Sequence, residues 1–403
     1  MKILMLTPYL PYPPASGGQI RTLNLLKYLS KNNEITLVSL YKKKEEIKNV
    51  AYLKKYCKHV YACKRAEKPW QIKIILETLL TFNPLLIVRN FSHEAQQLLA
   101  ELTGKEKFDV IHAETFYIMP HISVTDIPIL LVEQTIEYQV YQHFVSSLPF
   151  FIRPIFYLDI IKLKYWEQYY WKKANVVAAV SEADQKLIKK VEPTIKPVIV
   201  PNGAGDEMLA NCLKEKSFTN HVFLFLGNYY WLQNIEAANY IINKIAPKLY
   251  QTIPQAKIVI AGQETSKINN KKTVNVEIQE IEPENSNYVK NLYQTSTIFI
   301  APIFGPGGTR LKILAAMAAG LPVVSTKTGV EGLDVKENQH ILIAETPEEF
   351  VDQIESILSN RTLYNQIRKN AFILAKNNYN WAYITKNLEL IYQNIIKNYE
   401  SRN

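Results

Sequence analysis

Short apolar runs of strand length alternate along this chain with longer stretches of helical periodicity. Lys2–Thr7 (KILMLT) is continuously apolar, the proline-rich PYLPYPPASGG after it reads as a loop, and Gln19–Lys31 carries Ile20, Leu23, Leu25, Leu26 and Leu29 at helical spacing. Glu34–Leu40 (EITLVSL) predicts the next strand. Further strands are predicted at Asp109–Ala113, Ile129–Val132, Val176–Val180 and Lys196–Val200, with helical stretches between them. Apolar strands separated by helices are the pattern of a parallel sheet covered on both faces. Pro201-Asn202-Gly203 is a turn signal, and the polar, patternless Ala204–Asn220 reads as a linker. The alternation then restarts, with strands at Val222–Gly227, Lys257–Gly262, Thr297–Ala301 and Pro322–Ser325 and helices at Ile235–Tyr250, Tyr288–Thr295 and Leu311–Ala319. The expected fold class is therefore α/β, with two Rossmann-like doubly wound domains over 1–203 and 204–381. From Pro347 the chain is helical throughout, and its last part, 382–403, is long enough to return to the first domain.

Length agrees with that division, since 403 residues suffice for two α/β domains, each with its own core. The apolar fraction of 47% and charged fraction of 21% are those of a soluble globular protein, which excludes a largely disordered chain. Met1–Thr7 lacks the length and flanks of a signal peptide, and no apolar run reaches the roughly 18 to 20 residues of a membrane-spanning helix. Cys57, Cys63 and Cys212 have no metal-ligand spacing, and their odd number argues against a disulfide framework, which fits a reducing cytoplasm. The net charge of +10 is uneven. Residues 1–200 carry 27 Lys and Arg against 18 Asp and Glu, a net +9, whereas residues 201–403 are close to balanced. Such asymmetry points to an anionic partner for the first half, acidic lipid headgroups or nucleic acid, and equally fits a merely solubilising surface. No nucleic-acid motif accompanies it. Lys68–Arg89 and Leu148–Trp171 interleave aromatic, aliphatic and basic residues, which suits either a headgroup layer or core-facing helices.

The stretch with most chemistry is Ile303–Val324 (IFGPGGTRLKILAAMAAGLPVV), where a strand ends in a Gly/Pro loop that opens directly into a helix. Gly307 and Gly308 let the backbone approach a ligand, and the free N–H groups and positive dipole end of the helix, starting near Thr309, favour a phosphate. Arg310 and Lys312 add two cations where a diphosphate would lie, Arg through its planar fork and Lys as a point charge. The other reading is an ordinary glycine-rich turn with solvated cations. Ser16-Gly17-Gly18 forms a second junction of this kind after the first strand, without the G-x-G-x-x-G spacing of a dinucleotide site, which disfavours a dehydrogenase. One such junction per domain fits a diphosphate held across a cleft, with Gly17 and Gly18 closing over it.

These pieces, together with FDVIHAE, ANVVAAVSEADQKLIKK, VIVPNG, FLGNYYWLQNIEAANYI, IVIAG and GPGGTRLKILAAMAAGLPVVSTKTGVEGL, make the whole chain resemble family 4 of the retaining GT-B glycosyltransferases. The resemblance implies two facing Rossmann-like domains with a C-terminal helix crossing back, and a nucleotide-diphosphate sugar as donor substrate, held mainly by the second domain. It also implies an acceptor, glycan or lipid-linked, on the first domain, no obligatory metal or other cofactor, and retention of anomeric configuration. By the same resemblance Glu331, in TGVEGL, matches a position near the donor. Three departures stand beside it. The two glutamates usual around the donor loop align with Gly307 and Ala315, and the histidine beside the reacting sugar aligns with Glu114, two residues after His112. Glu114 is expected to face the cleft in a hydrogen-bonding role, with His112 a satisfied core histidine.

Glu133 closes the apolar run ILLVE and Glu137 lies one helical turn on; each fits a proton-handling role at a strand end or, equally, a salt bridge or helix cap. The sequence thus points to a metal-independent glycosyltransferase in which Arg310, Lys312 and Glu114 carry the chemistry, placed in the cytoplasm or peripherally at the inner face of the plasma membrane. The loss of both motif glutamates motivates the alternative of a catalytically impaired binding or scaffold subunit.

Overall fold

The computed structural model describes residues 1–209, 221–269, 273–283, 285–306 and 310–401. The chain divides into two compact units, Met1–Pro201 with Thr385–Asn403, and Asn202–Ile384.

The first unit is built on seven parallel strands: β1 (Lys2–Thr7), β2 (Glu34–Tyr41), β3 (His59–Lys64), β4 (Val110–Glu114), β5 (Ile129–Glu133), β6 (Val176–Ala179) and β7 (Val198–Ile199), in the order β3-β2-β1-β4-β5-β6-β7. Residues Ile3 to Leu6 of β1 and all of β4 are buried, as strands covered on both faces require. In the second unit β8 (Val222–Asn228), β9 (Lys257–Gln263), β10 (Val276–Glu280), β11 (Ile298–Ala301), β12 (Val323–Ser325) and β13 (Leu342–Ile343) run parallel in the order β10-β9-β8-β11-β12-β13. Each sheet reverses its winding once, between β1 and β4 in one and between β8 and β11 in the other. The loops at the strand carboxyl ends diverge there, which opens a crevice for ligands in sheets of this kind.

The sequence pattern missed β3, β10 and β13. β3 (HVYACK) and β10 (VEIQE) lie at sheet edges, half-buried and polar, so neither shows the continuous apolar run of a central strand, and β13 has two residues. The predicted helix Ile235–Tyr250 is broken. Its first part is Leu232–Tyr240, a wider π turn occupies Ile241–Ile245, and α-helix resumes over Ala246–Thr252. Pro247 accounts for the break, because it has no N–H to donate and its ring crowds the carbonyl of the preceding turn. Ala204, read as the start of a linker, is tied down: its N–H donates to Tyr379 O at 2.6 Å. Asp206–Leu209 forms a helical turn after it, and 210–220 fall outside the described residues.

Seven helices matter below: α1 (Gly17–Leu29), α2 (Ile72–Leu80), α3 (Glu137–Ser147), α4 (Arg153–Lys173), α5 (Leu232–Tyr240), α6 (Leu311–Ala318) and α7 (Trp381–Glu400). The C-terminal return expected from length is made by α7, which starts in the second unit and from Thr385 belongs to the first. There Leu388, Tyr392 and Ile395 are buried, and Glu389 accepts a 2.6 Å hydrogen bond from the Asn33 amide. At the end of β9, Gly262 has φ of 145° and lies so close to the Gly227 carbonyl that any side chain would collide with it, so IVIAG can only end in glycine.

Candidate active site

The switch point of the second sheet gathers residues from two chain segments. After β11 the chain passes through buried Pro302 and Ile303. Gly307, Gly308 and Thr309, the amides expected to cradle a diphosphate, lie outside the described residues. Arg310 is the residue that caps α6, with extended φ of −80° and ψ of 90°, and its Nη2 donates to Gly305 O at 2.6 Å. Lys312 sits in the first helical turn. Its Nζ donates to Asn234 Oδ1 at 2.5 Å and lies 4.7 Å from the centre of the Phe225 ring. Asn234 belongs to α5, which follows β8, and its Nδ2 donates to Asn228 O at 2.7 Å. That bond to the strand end turns the amide oxygen toward Lys312. The lysine is therefore aimed by a side chain 78 residues away, with an aromatic face as its other neighbour.

Burial lowers the pKa of Lys312 to about 7, and the neighbouring Arg310 charge pushes in the same direction. A lysine in this state gains a full positive charge when an anion arrives. Ala315, one turn further along α6, is half-buried against the second core, and its methyl offers no acceptor to a sugar hydroxyl. Glu331 is exposed after the turn Thr328–Val330 that follows β12, on the same carboxyl-end side of the sheet.

The switch point of the first sheet holds α1 and Glu114. Ser16 caps α1, accepting from Gln19 N at 3.4 Å, so that Gly17 and Gly18 form its first turn. Gly18 is a glycine because of its neighbours: a Cβ there would run into Tyr9 Oη and come within 2.5 Å of Gln134 Oε1. Tyr9 in turn donates to Gln134 at 3.2 Å. Gly18→Ala is expected to destabilise the first unit by about 1 kcal/mol, the lower end for forcing a methyl into a packed site, because the tip of Tyr9 can yield. A thermal melt checks this, and Tyr9→Phe in the same background should recover part of the loss.

Glu114 was expected to face outward, and the structure places it elsewhere. It has no exposed surface, and both oxygens are engaged: Arg21 Nε donates to it at 3.4 Å, His112 Nε2 at 2.9 Å and Gln134 Nε2 at 2.6 Å. Burial acts to raise its pKa, but the Arg21 guanidinium and the His112 and Gln134 hydrogen bonds outweigh it and hold the carboxyl at about 2. His112 is the satisfied core histidine that its strand suggested, with its other ring nitrogen hydrogen-bonded to the Tyr392 hydroxyl of α7. Arg21 Nη1 also donates to Val200 O at 3.1 Å and Pro201 O at 3.0 Å. This knot was missed in the sequence. A trace of it is legible: Arg21 and Thr22 fall on the same helical stripe as Leu25, Leu26 and Leu29, where a core helix would carry apolar residues. Directly after Glu114, Thr115 takes φ of 84°, a costly conformation for a β-branched residue and one that concentrates at site rims.

Glu133 takes a capping role, accepting from the Phe116 backbone N–H that starts the 3-10 turn Phe116–His121. It is buried and accepts from Trp171 Nε1 at 2.8 Å; burial and the nearby Glu167 raise its pKa well above the ordinary range. Glu167 of α4 caps α3, accepting from Glu137 N at 2.8 Å and Tyr138 N at 3.3 Å. Burial lifts Glu137 itself to about 6, against the pull of Arg89 and the Thr135 hydroxyl. Among the described residues no group of three or more His, Cys, Asp or Glu is placed to hold a metal ion.

Comparison with known proteins places the fold. Residues 220–360, which span β8 through α6 to β13, match the family model described as Glycosyl transferases group 1. The fold is shared with sucrose-phosphate synthase from Thermosynechococcus elongatus (TM-score 0.72, 15% identity, 98% of this chain and 100% of that one). It is shared too with HepE from Anabaena, solved in complex with UDP-glucose (TM-score 0.63, 15% identity, 100% of both chains). The chain has the two Rossmann-like units of the GT-B fold that its sequence led to expect, and its second unit is similar to the group 1 glycosyl transferases. In sequence it is 25% identical over 391 residues, 94% of its length and 96% of the relative's, to an uncharacterized 44.6 kDa protein in the cps region of Klebsiella pneumoniae.

Proposed function

We propose that this protein transfers a sugar, with retention and without a metal, from a nucleotide-sugar donor to a glycan or lipid-linked acceptor, in the assembly of a cell-surface polysaccharide at an anionic membrane face. The observation that carries the reading is the pair of cations at the β8–β11 switch point, Lys312 held by Asn234 and Arg310 at the start of α6. Two cations here can neutralise the charge that grows on a departing nucleoside diphosphate, and positioning with leaving-group stabilisation is the main catalytic means for a site with no evident nucleophile among its described residues. The UDP-glucose bound by HepE and the cps-region relative support the donor class and the polysaccharide setting. Glu331 is placed on the donor side in this reading. Glu114 acts there by holding α1, β4 and Gln134 in place.

A second reading, a binding or scaffold subunit that has lost catalysis, is motivated by Gly307 and Ala315, where the family's glutamates are missing. Turnover of UDP-, GDP-, ADP- and TDP-sugars, measured for the wild type and Ala315→Glu, separates the two. The transferase reading expects hydrolysis or transfer with one donor class and no gain in the variant, since a new carboxylate would enter a site arranged around other partners. A silent wild type whose variant gains nucleotide affinity would favour the scaffold, and silence in both with no nucleotide bound would remove the donor site from this position.

A further inference from the structure

The apolar stripe of α2 faces water. Ile72, Ile75, Leu76, Leu79 and Leu80 recur at helical spacing, the arrangement by which a surface helix normally marks its buried side. Here Ile72 is 77% and Leu80 83% exposed, while the inward positions are Ile74 and Thr78. α4 repeats the inversion over its first half, where Ile155, Leu158 and Ile161 are exposed, and Phe150 and Phe151 project just before it.

The two helices make one surface. Lys162 of α4 donates to Thr78 O at 2.6 Å and Thr81 O at 2.7 Å, closing the end of α2, and Trp166 Nε1 donates to Phe82 O at 2.7 Å. The rings of Phe82 and Tyr165 meet edge to face with centroids 5.1 Å apart. Leu158 and Tyr165 lie one turn either side of Lys162, so the exposed stripe of α4 runs beside the end of α2. Around this apolar area Lys68, Lys73 and Lys164 are exposed, with Glu67 and Glu77 exposed beside them, in the half of the chain that carries the net positive charge. An apolar patch of this extent rimmed by charged residues is covered in use, and aromatics at its margin, Trp70 and Tyr157, suit a headgroup layer. No described helix is long and apolar enough to cross a membrane, so such a face would lie on a bilayer rather than span it.

We infer that α2 and the first half of α4 form a docking face for an anionic lipid bilayer, with the isoleucines, leucines and Phe150–Phe151 entering the headgroup layer and the lysines meeting its charge. The inference deepens the proposed function by naming the surface that meets the membrane. It rests on that reading only for its purpose, since vesicle binding needs neither donor nor acceptor.

The test uses the full chain in flotation with phosphatidylcholine vesicles and with vesicles of equal parts phosphatidylcholine and phosphatidylglycerol. The wild type is expected to float with the anionic vesicles and to release as salt rises, because exposed charges are screened over about 8 Å at physiological ionic strength. Leu76→Glu/Leu79→Glu and, separately, Ile155→Glu/Leu158→Glu should each lose at least about tenfold in binding, the least that one leucine-sized side chain fewer in the bilayer would cost. Their melting temperatures should stay at the wild-type value, as expected for exposed positions. Equal binding to both vesicles, or unchanged binding by both variants, overturns the inference. So does a wild-type dimer that the variants dissociate while no vesicle is bound, since the face would then belong to a second copy of the chain. Donor turnover without vesicles separates this from the transferase reading: lost flotation in the variants beside an inactive wild type would leave the docking face standing and the enzyme in doubt.

Discussion

Arg310→Ala and Lys312→Ala are each expected to weaken binding of the cognate nucleoside diphosphate by about 1.5 to 3 kcal/mol, the scale of a hydrogen bond to a charged group, or roughly ten- to a hundredfold in Kd. The two variants should differ in their pH dependence. With its pKa lowered to about 7, Lys312 in the free protein is half neutral at pH 7 and mostly neutral at pH 8.5. A bound diphosphate favours the charged form and draws the pKa back up, so binding takes up a proton. Affinity should therefore fall as pH rises above 7, by up to a factor of ten per unit until the pKa of the complex is reached. Arg310 stays charged throughout, so Arg310→Ala should keep this slope, whereas Lys312→Gln should flatten it. Asn234→Ala should shift the profile without removing it, because Asn234 aims the ammonium but does not supply the charge. Calorimetry with UDP and GDP between pH 6 and 9 decides the matter, read against the ionisation of the nucleotide itself. Unchanged affinity in both alanine variants would place the donor elsewhere.

Removing the buried carboxylate of the first unit is expected to be the most destabilising change discussed. Glu114→Ala leaves the Arg21 guanidinium in the core without its counter-charge and Gln134 Nε2 without an acceptor, and breaking a buried ion pair in this way costs about 3 to 5 kcal/mol. The effect carries a pH signature. Glu114 titrates at about 2 in the folded chain and in the ordinary glutamate range when unfolded, so its stabilisation is complete above that ordinary range and is lost as pH falls toward 2. Glu137 acts in the opposite sense. Its folded value of about 6 lies above the unfolded one, so the penalty of burying its charge is relieved as pH drops through 6, and Glu133 and Glu167 shift the same way. Stability of the first unit should then pass through a maximum at about pH 4, near the ordinary glutamate value. Hydrogen exchange at β4 amides, which open only when that unit unfolds, measures it locally. In Glu114→Gln the fall below the maximum should be shallower; an unchanged acid limb would mean that Glu114 is not the group that titrates.

That role for Glu114 differs from the one its position in the motif suggested, and the difference shows what local sequence carries. A central parallel strand is written in a run of apolar residues, and a helix in its 3.6-residue period. Both signals act over a dozen residues or fewer, so β1, β4, β8 and β11, the helix start at Leu311 and, to within two residues, the one at Gly17 were legible directly. Edge strands β3 and β10 were not, because half of each faces solvent and the pattern fades. The cations Arg310 and Lys312 could be placed beside a strand end for the same local reason.

Everything that assigns a task to a side chain comes from further away. Glu114 meets Arg21 across 93 residues and His112 meets Tyr392 across 280, and only the packing of α1 and α7 against β4 turns a strand-end glutamate inward. Lys312 owes its lowered pKa to burial and its aim to Asn234, neither of which a helix-start motif reveals. The stripes of α2 and α4 look in sequence like core faces, because periodicity fixes which residues share a side and not which side the core occupies. The sequence by itself determined the order and kind of the central strands and of the helices that follow them, and set two cations beside the second switch point. The tertiary structure decided which charges are buried, which are paired and which apolar faces stay in water, since burial and pairing are set by contacts between segments that no local pattern encodes.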